Sequence, residues 1–265
     1  MSTVTAKQAT AARETAVKTI LISQPAPLNA KNPYASLSDK YNVKIDFRKF
    51  IQIDPVSLKE FRRYRISPDE FSAVILTSKS AIDHFFKLCK DLRVEMPADT
   101  KYFCSSEAVA LYLQKFIEYR KRKVFYSKKD GKTDLYGLLK KHKDNENFLF
   151  PCANNHKKDI PNYLEENEFD YKEVTIYNVI SSDLSDLENI FYDMIVFFTP
   201  LGIKSLYDNF PDFKQNNTRL AAYGKLTSKA MENHDLIVDV SAPSPETPSM
   251  TMAIEAYLKK VAKKK

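Results

Sequence analysis

The stretch AVILTSKS at 73–80 returns in outline as IVFFTPLG at 195–202, and KYFCSSEAVALYL at 101–113 is matched by AAYGKLTSKAM at 221–231. In each half, an apolar run ending in Thr precedes a strand-turn-helix unit by a similar distance. A repeat of this kind constrains the chain to an α/β architecture of two similar parallel-sheet domains, since strand, turn and helix in succession bury their apolar faces by stacking crossover helices on a parallel sheet. The pattern is clearest at 192–242. There, 194–198 is a short buried-strand run, broken by Thr199, Pro200 and Gly202. A second strand at 220–223 turns at Gly224, Thr227 and Ser228 stand where a helix begins, and 237–240 is a third strand.

Further strands are expected at 18–22, 71–76, 101–103, 123–126 and 147–150, the last closed by Pro151 and Cys152. Helical patterns occupy 33–41, 57–64, 81–92, the segment capped by Ser105 and Ser106 through 115, then 135–142, 160–167, 183–191 and 247–261. Two longer extended passages, 44–55 and 173–180, read as a two-stranded β ladder joining the domains. If both cross the same gap, the first strand belongs with the C-terminal half. The expected organisation is a flexible tail at 1–17, a discontinuous first domain of 18–43 plus 181–261, connections at 44–55 and 173–180, and an inserted second domain at 56–172.

Several function classes are excluded by what is missing. The chain has four glycines and none before Gly131, so neither a dinucleotide fingerprint nor a Walker loop follows the first strand. His84, His142, His156 and His234 show no metal-ligand spacing, and there is no GxSxG elbow. Three cysteines, Cys89, Cys104 and Cys152, are widely spaced and lack a CxxC, which points to a reducing compartment without structural zinc. Cys152 reads as a small buried residue, as no His is placed by sequence to pair with it. No apolar run approaches the roughly 20 residues needed to span a bilayer. The first residues lack the apolar middle of a secretory signal, and Glu14 interrupts the basic segment a transit peptide would use. A cytoplasmic location follows as the expectation.

Lys and Arg exceed Asp and Glu by 41 to 34, giving +7, an excess that favours an anionic partner: nucleic acid, a membrane surface or a polycarboxylate. Lys259, Lys260, Lys263, Lys264 and Lys265 account for part of it. The basic run Arg120, Lys121, Arg122 and Lys123, with Lys128, Lys129 and Lys132 beyond it, is a solvated face by default. No RNA-binding module accompanies it.

Ligands of open parallel sheets bind beyond the carboxyl ends of the strands. Thr77, Ser78, Ser105, Ser106, Thr199, Thr227 and Ser228 all fall near such ends. Hydroxyls and helix-start amides there suit carboxylates or phosphates, while ordinary helix capping is the competing reading for each. Tyr177 stands in VTIYNV. Simple alternation puts it with Thr175 and Val179 on one face, opposite Val174, Ile176 and Asn178. It is either a cross-strand packing residue or a phenol facing a cleft.

The segments YDMIVFFTPLG, RLAAYGKLTSKAM and VSAPSPETPSMTMAIEAYL, with NFLFPCANNHKKDIPNYL, EVTIYNV, ILISQPAP and VILTSKSAIDHFF, resemble the uroporphyrinogen-III synthase family in the same order, over about residues 18 to 260. The resemblance implies two α/β domains with the active cleft between them, no metal or organic cofactor, and a monomer. It implies a lyase of porphyrin, tetrapyrrole and heme biosynthesis. Its substrate would be hydroxymethylbilane, closed to uroporphyrinogen III with loss of water and inversion of ring D. It also implies that Tyr177 assists departure of the hydroxyl, and that Thr77 or Ser78, Thr199 and Thr227 bind the substrate's carboxylates or backbone-adjacent groups; no nucleic acid or membrane partner is expected. Two positions depart from the family pattern. Gln24-Pro25 stands where Arg-Pro is common, and Cys104 stands where the middle domain often has a turn Gly. A non-catalytic binding protein for an anionic tetrapyrrole or similar polycarboxylate, on the same scaffold, is the alternative.

Overall fold

The computed structural model describes residues 16–27, 32–127 and 132–262. The chain divides into two compact units: one takes the chain up to Gln52 and again from Ile180 onward, and the other is Ile53–Val179. The first unit opens with β1 (Thr19–Ile22), α1 (Ala35–Tyr41) and β2 (Lys44–Phe47), and β3 (Ile51–Pro55) leads out of it. The second unit continues with α2 (Leu58–Phe61), β4 (Ala73–Leu76), α3 (Lys79–Leu92), β5 (Lys101–Cys104), α4 (Glu107–Leu113) and β6 (Val124–Tyr126). Then come α5 (Lys132–Lys140), β7 (Phe148–Ala153), α6 (Asp159–Glu166) and the long β8 (Tyr171–Ser181). The chain re-enters the first unit with β9 (Met194–Phe197), α7 (Pro200–Asn209), β10 (Arg219–Tyr223), α8 (Lys225–Glu232), β11 (Val240–Ala242) and α9 (Met250–Ala262).

The first sheet has the order β11-β10-β9-β1-β2 and the second β3-β8-β7-β4-β5-β6. The registered pairs β1·β2, β1·β9, β9·β10 and β10·β11 are parallel, as are β4·β5, β4·β7, β5·β6 and β7·β8. Parallel strands covered by helices on both faces need apolar side chains on both, and β1 (TILI), β4 (AVIL) and β9 (MIVF) supply them. Met194 and Val196 join Ile20, Ile22 and Ile254 on one face of the first sheet, and Ile195 and Phe197 join Leu21, Phe50 and Leu206 on the other. In the second, Val74 and Leu76 pack with Ile82 and Phe85, while Ala73 and Ile75 pack with Phe103, Leu139 and Phe148. Each Val, Leu, Ile, Met or Phe among them contributes about 1.5–3 kcal/mol when fully buried.

The first unit is closed by a contact between its two distant segments. A carboxylate oxygen of Asp193 accepts the N–H groups of Lys18 and Thr19 at 2.8 and 2.9 Å, just before β9, and so holds the start of β1 against it. β3 and β8 pair through Val56 N–H to the Ile176 carbonyl at 3.0 Å and Ser182 N–H to the Phe50 carbonyl at 2.8 Å, an antiparallel arrangement. The expected ladder is therefore present, built differently from the sequence reading. The 44–55 passage is two strands: β2 joins the first sheet beside β1, and only β3 pairs with β8. Between them Arg48 bonds Asp186 at 3.0 Å, and Ser205, wholly buried on α7, donates to the Phe50 carbonyl.

Three other segments differ from expectation. The 183–191 pattern yields a single 3-10 turn, Ser185–Leu187, and the strand expected at 237–240 is β11, two or three residues later. β7 runs through Pro151 and Cys152 instead of stopping before them. Its registered ladder to β4 ends at Leu149, so the missing N–H of Pro151 interrupts no rung on that side. The tail at 1–15 and Lys128 and Lys129 lie outside the described residues. Among those described, no helix is long and apolar enough to cross a membrane.

Candidate functional site

The carboxyl ends of the second sheet gather a compact polar group. β4 runs into Thr77 and Ser78, and Ser78 is the N-cap of α3. Its extended backbone (φ −157°, ψ 162°) aims Oγ at the helix start, where it accepts the Ala81 N–H at 3.0 Å. Ser106 plays the same part for α4, accepting the Val109 N–H at 3.4 Å. Ser105 Oγ donates to the Thr77 carbonyl at 2.9 Å and so ties neighbouring strand ends together. Tyr177 reaches this group from β8, with its hydroxyl 3.4 Å from Ser78 Oγ.

Tyr177 does not follow strand alternation. The β7·β8 register steps from Cys152–Thr175 to Ala153–Tyr177, an irregularity that skips Ile176. As a result Val174, Ile176 and Tyr177 all enter the same core, and Tyr177 is only 7 % exposed. Its ring stacks on the imidazole of His84, which projects from α3, with centroids 4.8 Å apart. Its carbonyl accepts the Asn154 N–H at 3.1 Å, and Asn154 Oδ1 accepts the Val179 N–H at 2.9 Å. His84 and Asn154 carry no sequence signal of their own. Helical spacing alone leaves His84 indistinguishable from a core or surface residue.

His84 is held below the ordinary histidine range by burial, reinforced by Lys87, so its imidazole is neutral at pH 7. Its Nδ1 is buried without a hydrogen-bond partner. Cys104 is wholly buried at the end of β5, and Ser105 and Ser106 make the turn beyond it without a positive φ. The glycine that the family often has there is therefore not required by this backbone.

The first unit presents its strand ends differently. Thr199 is the N-cap of α7 but makes no side-chain cap bond, and it is exposed. α8 begins two residues earlier than expected: its N-cap is Gly224, at φ +86°, where a side chain would be strained. Thr227 and Ser228 thus lie inside the helix, their N–H groups both bonding the Gly224 carbonyl. Thr227 is 1 % exposed, and the Ser228 Oγ is buried without a partner. Neither helix start is capped by a side chain of the chain itself, in contrast to Ser78 and Ser106. Next to them, Phe198 packs against Tyr223 at 5.8 Å, and the exposed Leu226 extends the apolar surface.

The repeat reads differently in three dimensions. By sequence likeness Thr77 matches Thr199. By position, the residue that follows the strand and caps the helix is Ser78 in one unit and Thr199 in the other. The position matching Gly202 on α7 is then Ala81 on α3. A Cβ at Gly202 would come within 3.0 Å of Phe197 Cδ1 and 3.7 Å of Ser23 Oγ. Gly202 lets the first turn of α7 lie directly on β9 and the end of β1. Gln24, at the position where the family commonly has Arg, is exposed just beyond.

Elsewhere, Arg120 pairs with Glu118 at 2.8 Å and Lys123 donates to the Ala98 carbonyl, so two members of the basic run have local partners. Two cavities lie away from the carboxyl ends of the strands. One of about 660 Å³ is lined by Phe86, Arg93, Met96, Tyr102 and Phe116, and one of about 420 Å³ by Phe50, Tyr192, Leu206 and Phe213. The former sits largely against the loop that feeds into β5.

Two α/β units, each built on a sheet of mainly parallel strands with helix starts at their carboxyl ends, define a protein of the doubled α/β class. The family model for uroporphyrinogen-III synthase HemD matches residues 35–252, and the chain belongs to that family. Uroporphyrinogen-III synthase from Saccharomyces cerevisiae is 32 % identical over 75 residues, a match spanning 27 % of each protein. The fold is shared with the synthetase from Helicobacter pylori 26695 at a TM-score of 0.58 and 19 % identity, over 91 % of this chain and 99 % of that one. It is also shared with a mutant synthase from the extremely thermophilic bacterium Thermus thermophilus at 0.55 and 12 %, over 94 % and 100 %.

Proposed function

We propose that this protein is a uroporphyrinogen-III synthase, closing linear hydroxymethylbilane to uroporphyrinogen III with loss of water and inversion of ring D. The observation that carries this reading is the family match at 35–252, which takes in strand ends of both units. The chemistry at those ends suits the substrate. Eight carboxylates ask for donors and positive charge. The starts of α7 and α8, which Thr199 and Gly224 leave without side-chain caps, offer backbone N–H groups at the positive end of a helix dipole. Phe198, Tyr223 and Leu226 offer an apolar rest for the pyrrole rings.

In this reading Tyr177 is the donor to the departing hydroxyl. Ser78 Oγ already accepts the Ala81 N–H, so its own O–H is available to donate to the Tyr177 oxygen, which leaves the phenol proton for the substrate. Such a chain polarises the phenol. As the carbon–oxygen bond breaks, the hydroxyl leaves as water and an azafulvene forms. Attack at the substituted carbon of ring D gives a spiro intermediate, and fragmentation with reclosure gives the inverted product. The proton delivered to the leaving group is restored by the pyrrole proton lost at closure. A hydrogen bond here accelerates the reaction only if it strengthens in the transition state. His84, neutral and stacked on the ring, orients it without adding charge.

Incubation of the purified protein with hydroxymethylbilane, with the product isomers resolved, tests the reading. Type III product above the spontaneous background is expected. Type I product alone, at the uncatalysed rate, would overturn it.

A further inference from the structure

Cys152 on β7, Glu173 on β8 and His156 in the turn after β7 bring a thiol, a carboxylate oxygen and an imidazole nitrogen within 4.8 Å of one another. The backbone explains how. Phe150 is in register with Glu173 and Cys152 with Thr175, so Cys152 and Glu173 share one face of the sheet. Cys152 packs there among Phe103, Phe150, Ile160 and Leu164, in a different core from the one that holds Val174, Ile176 and Tyr177. The turn folds His156 back over that face, its ring edge-on to Phe150 at 5.5 Å. Sequence spacing alone gives Cys152 no partner. The C-x-x-x-H spacing is uninformative alone, and Glu173 enters only through strand pairing.

The Cys152 thiol donates to the Val174 carbonyl at 3.4 Å, whereas the contact between His156 and Glu173 is mismatched when the ring is neutral. His156 Nδ1 lies 2.7 Å from the Ala153 carbonyl, which can only accept, so the neutral ring carries its proton on Nδ1. In that neutral form the Nε2 lone pair faces a Glu173 oxygen at 3.3 Å, two acceptors opposed. That separation is short enough for an ion pair, yet Nε2 is buried without a hydrogen-bond partner. Lys158 Nζ reaches the same Glu173 oxygen at 2.6 Å from a largely exposed position and can swing away. A bond from ring N–H to a backbone carbonyl is the usual way a metal-binding histidine is oriented. Cys152 is wholly buried, which hides its thiol from outside electrophiles, and a divalent metal that binds it displaces the thiol proton.

We propose that Cys152, His156 and Glu173 form a three-ligand site for a borderline-soft divalent cation of the zinc class, with water as fourth ligand. Sulfur, imidazole and carboxylate together select such an ion over Mg²⁺ or Ca²⁺. Bond lengths of about 2.0–2.3 Å put the ligand atoms roughly 3.3–3.8 Å apart in a tetrahedron, so closure asks for about 1 Å of side-chain movement. As the metal–sulfur bond forms, the thiol proton leaves to water, and Glu173 exchanges the Lys158 ammonium for the cation. The same turn holds Asn154 on the Tyr177 carbonyl, so a bound ion stiffens the scaffold behind the phenol.

Metal-free full-length protein titrated with Co²⁺ should take up one ion per chain. It should develop the near-ultraviolet absorption of a cobalt–thiolate bond, lose it to Zn²⁺, and melt several degrees higher with Zn²⁺ than with Mg²⁺. His156→Gln and Glu173→Gln, both at partly accessible side chains, should each weaken binding roughly tenfold or more. Cys152→Ala should abolish the thiolate absorption. If Cys152→Ala does not fold, the other two variants decide. Absence of the thiolate band, or wild-type affinity in both His156→Gln and Glu173→Gln, would overturn the site. None of these readouts depends on turnover of hydroxymethylbilane.

Discussion

The Tyr177 ring lies against the His84 imidazole with 4.8 Å between centroids and 23° between planes, and its hydroxyl points to Ser78 Oγ. A phenol so enclosed has one orientation, set by β8, α3 and the cap of α3. Tyr177→Phe keeps the ring and its stacking and removes only the donor. The expected outcome is a loss of kcat of roughly 10- to 1000-fold with a nearly unchanged melting temperature. Initial rates and isomer ratios beside wild type measure it. Wild-type kcat in the folded variant would make Tyr177 a packing residue.

Ser78 has two tasks that substitutions can separate. Ser78→Ala loses the α3 cap, at a cost of about 1 kcal/mol, together with the contact to Tyr177. Ser78→Asn keeps a side-chain oxygen able to cap. Melting temperature should recover in the Asn variant while turnover stays low. Recovery of both would reduce Ser78 to a cap.

Gly202→Ala tests whether backbone approach or helix propensity dominates at the start of α7. Propensity favours Ala over Gly by about 1 kcal/mol. The new Cβ, however, would stand 3.0 Å from Phe197 Cδ1 and press on a ring that is wholly buried. A net destabilisation of about 1–3 kcal/mol is expected from overpacking. A higher denaturant midpoint in the Ala variant would show that β9 and α7 yield.

Stability should fall in mild acid because of two histidines. Burial lowers both His84 and His142 from their unfolded value near 6.5, with Lys87 and Lys101 as the next causes. The unfolded chain therefore binds more protons than the folded one once pH drops below the unfolded value. Stability is intact above about pH 6.5 and declines as pH falls from there toward the depressed folded values. Melting curves from about pH 7.5 to about 5.5 should show this slope, and His84→Gln should flatten part of it. An identical slope in the variant would assign the effect elsewhere.

The strands with apolar runs were legible because burial on both faces leaves a mark at every position: TILI, AVIL and MIVF can be read without a partner in view. The capping serines of α3 and α4 were legible for a similarly local reason, since cap and helix are neighbours in sequence. The weaker segments were not. The 44–55 passage reads as one extended stretch until β1 captures its first half and β8 its second, and 183–191 has helical periodicity but forms only a 3-10 turn, with Leu184 N–H taken by Asn209 Oδ1.

Residue type at short spacing was enough to specify the repeat, the α/β class and the hydroxyls near strand ends. What those hydroxyls meet is settled by packing between distant segments. Strand alternation turns Tyr177 away from Ile176. The skipped rung between Cys152 and Ala153 puts both in one core and carries the phenol to Ser78 and His84, 99 and 93 positions away in the chain. The same pairing of β7 with β8 sets Glu173 beside Cys152 and His156. Register is fixed by packing on both faces of a sheet, and a one-residue slip redirects every side chain beyond it. Local pattern carries no record of such a slip.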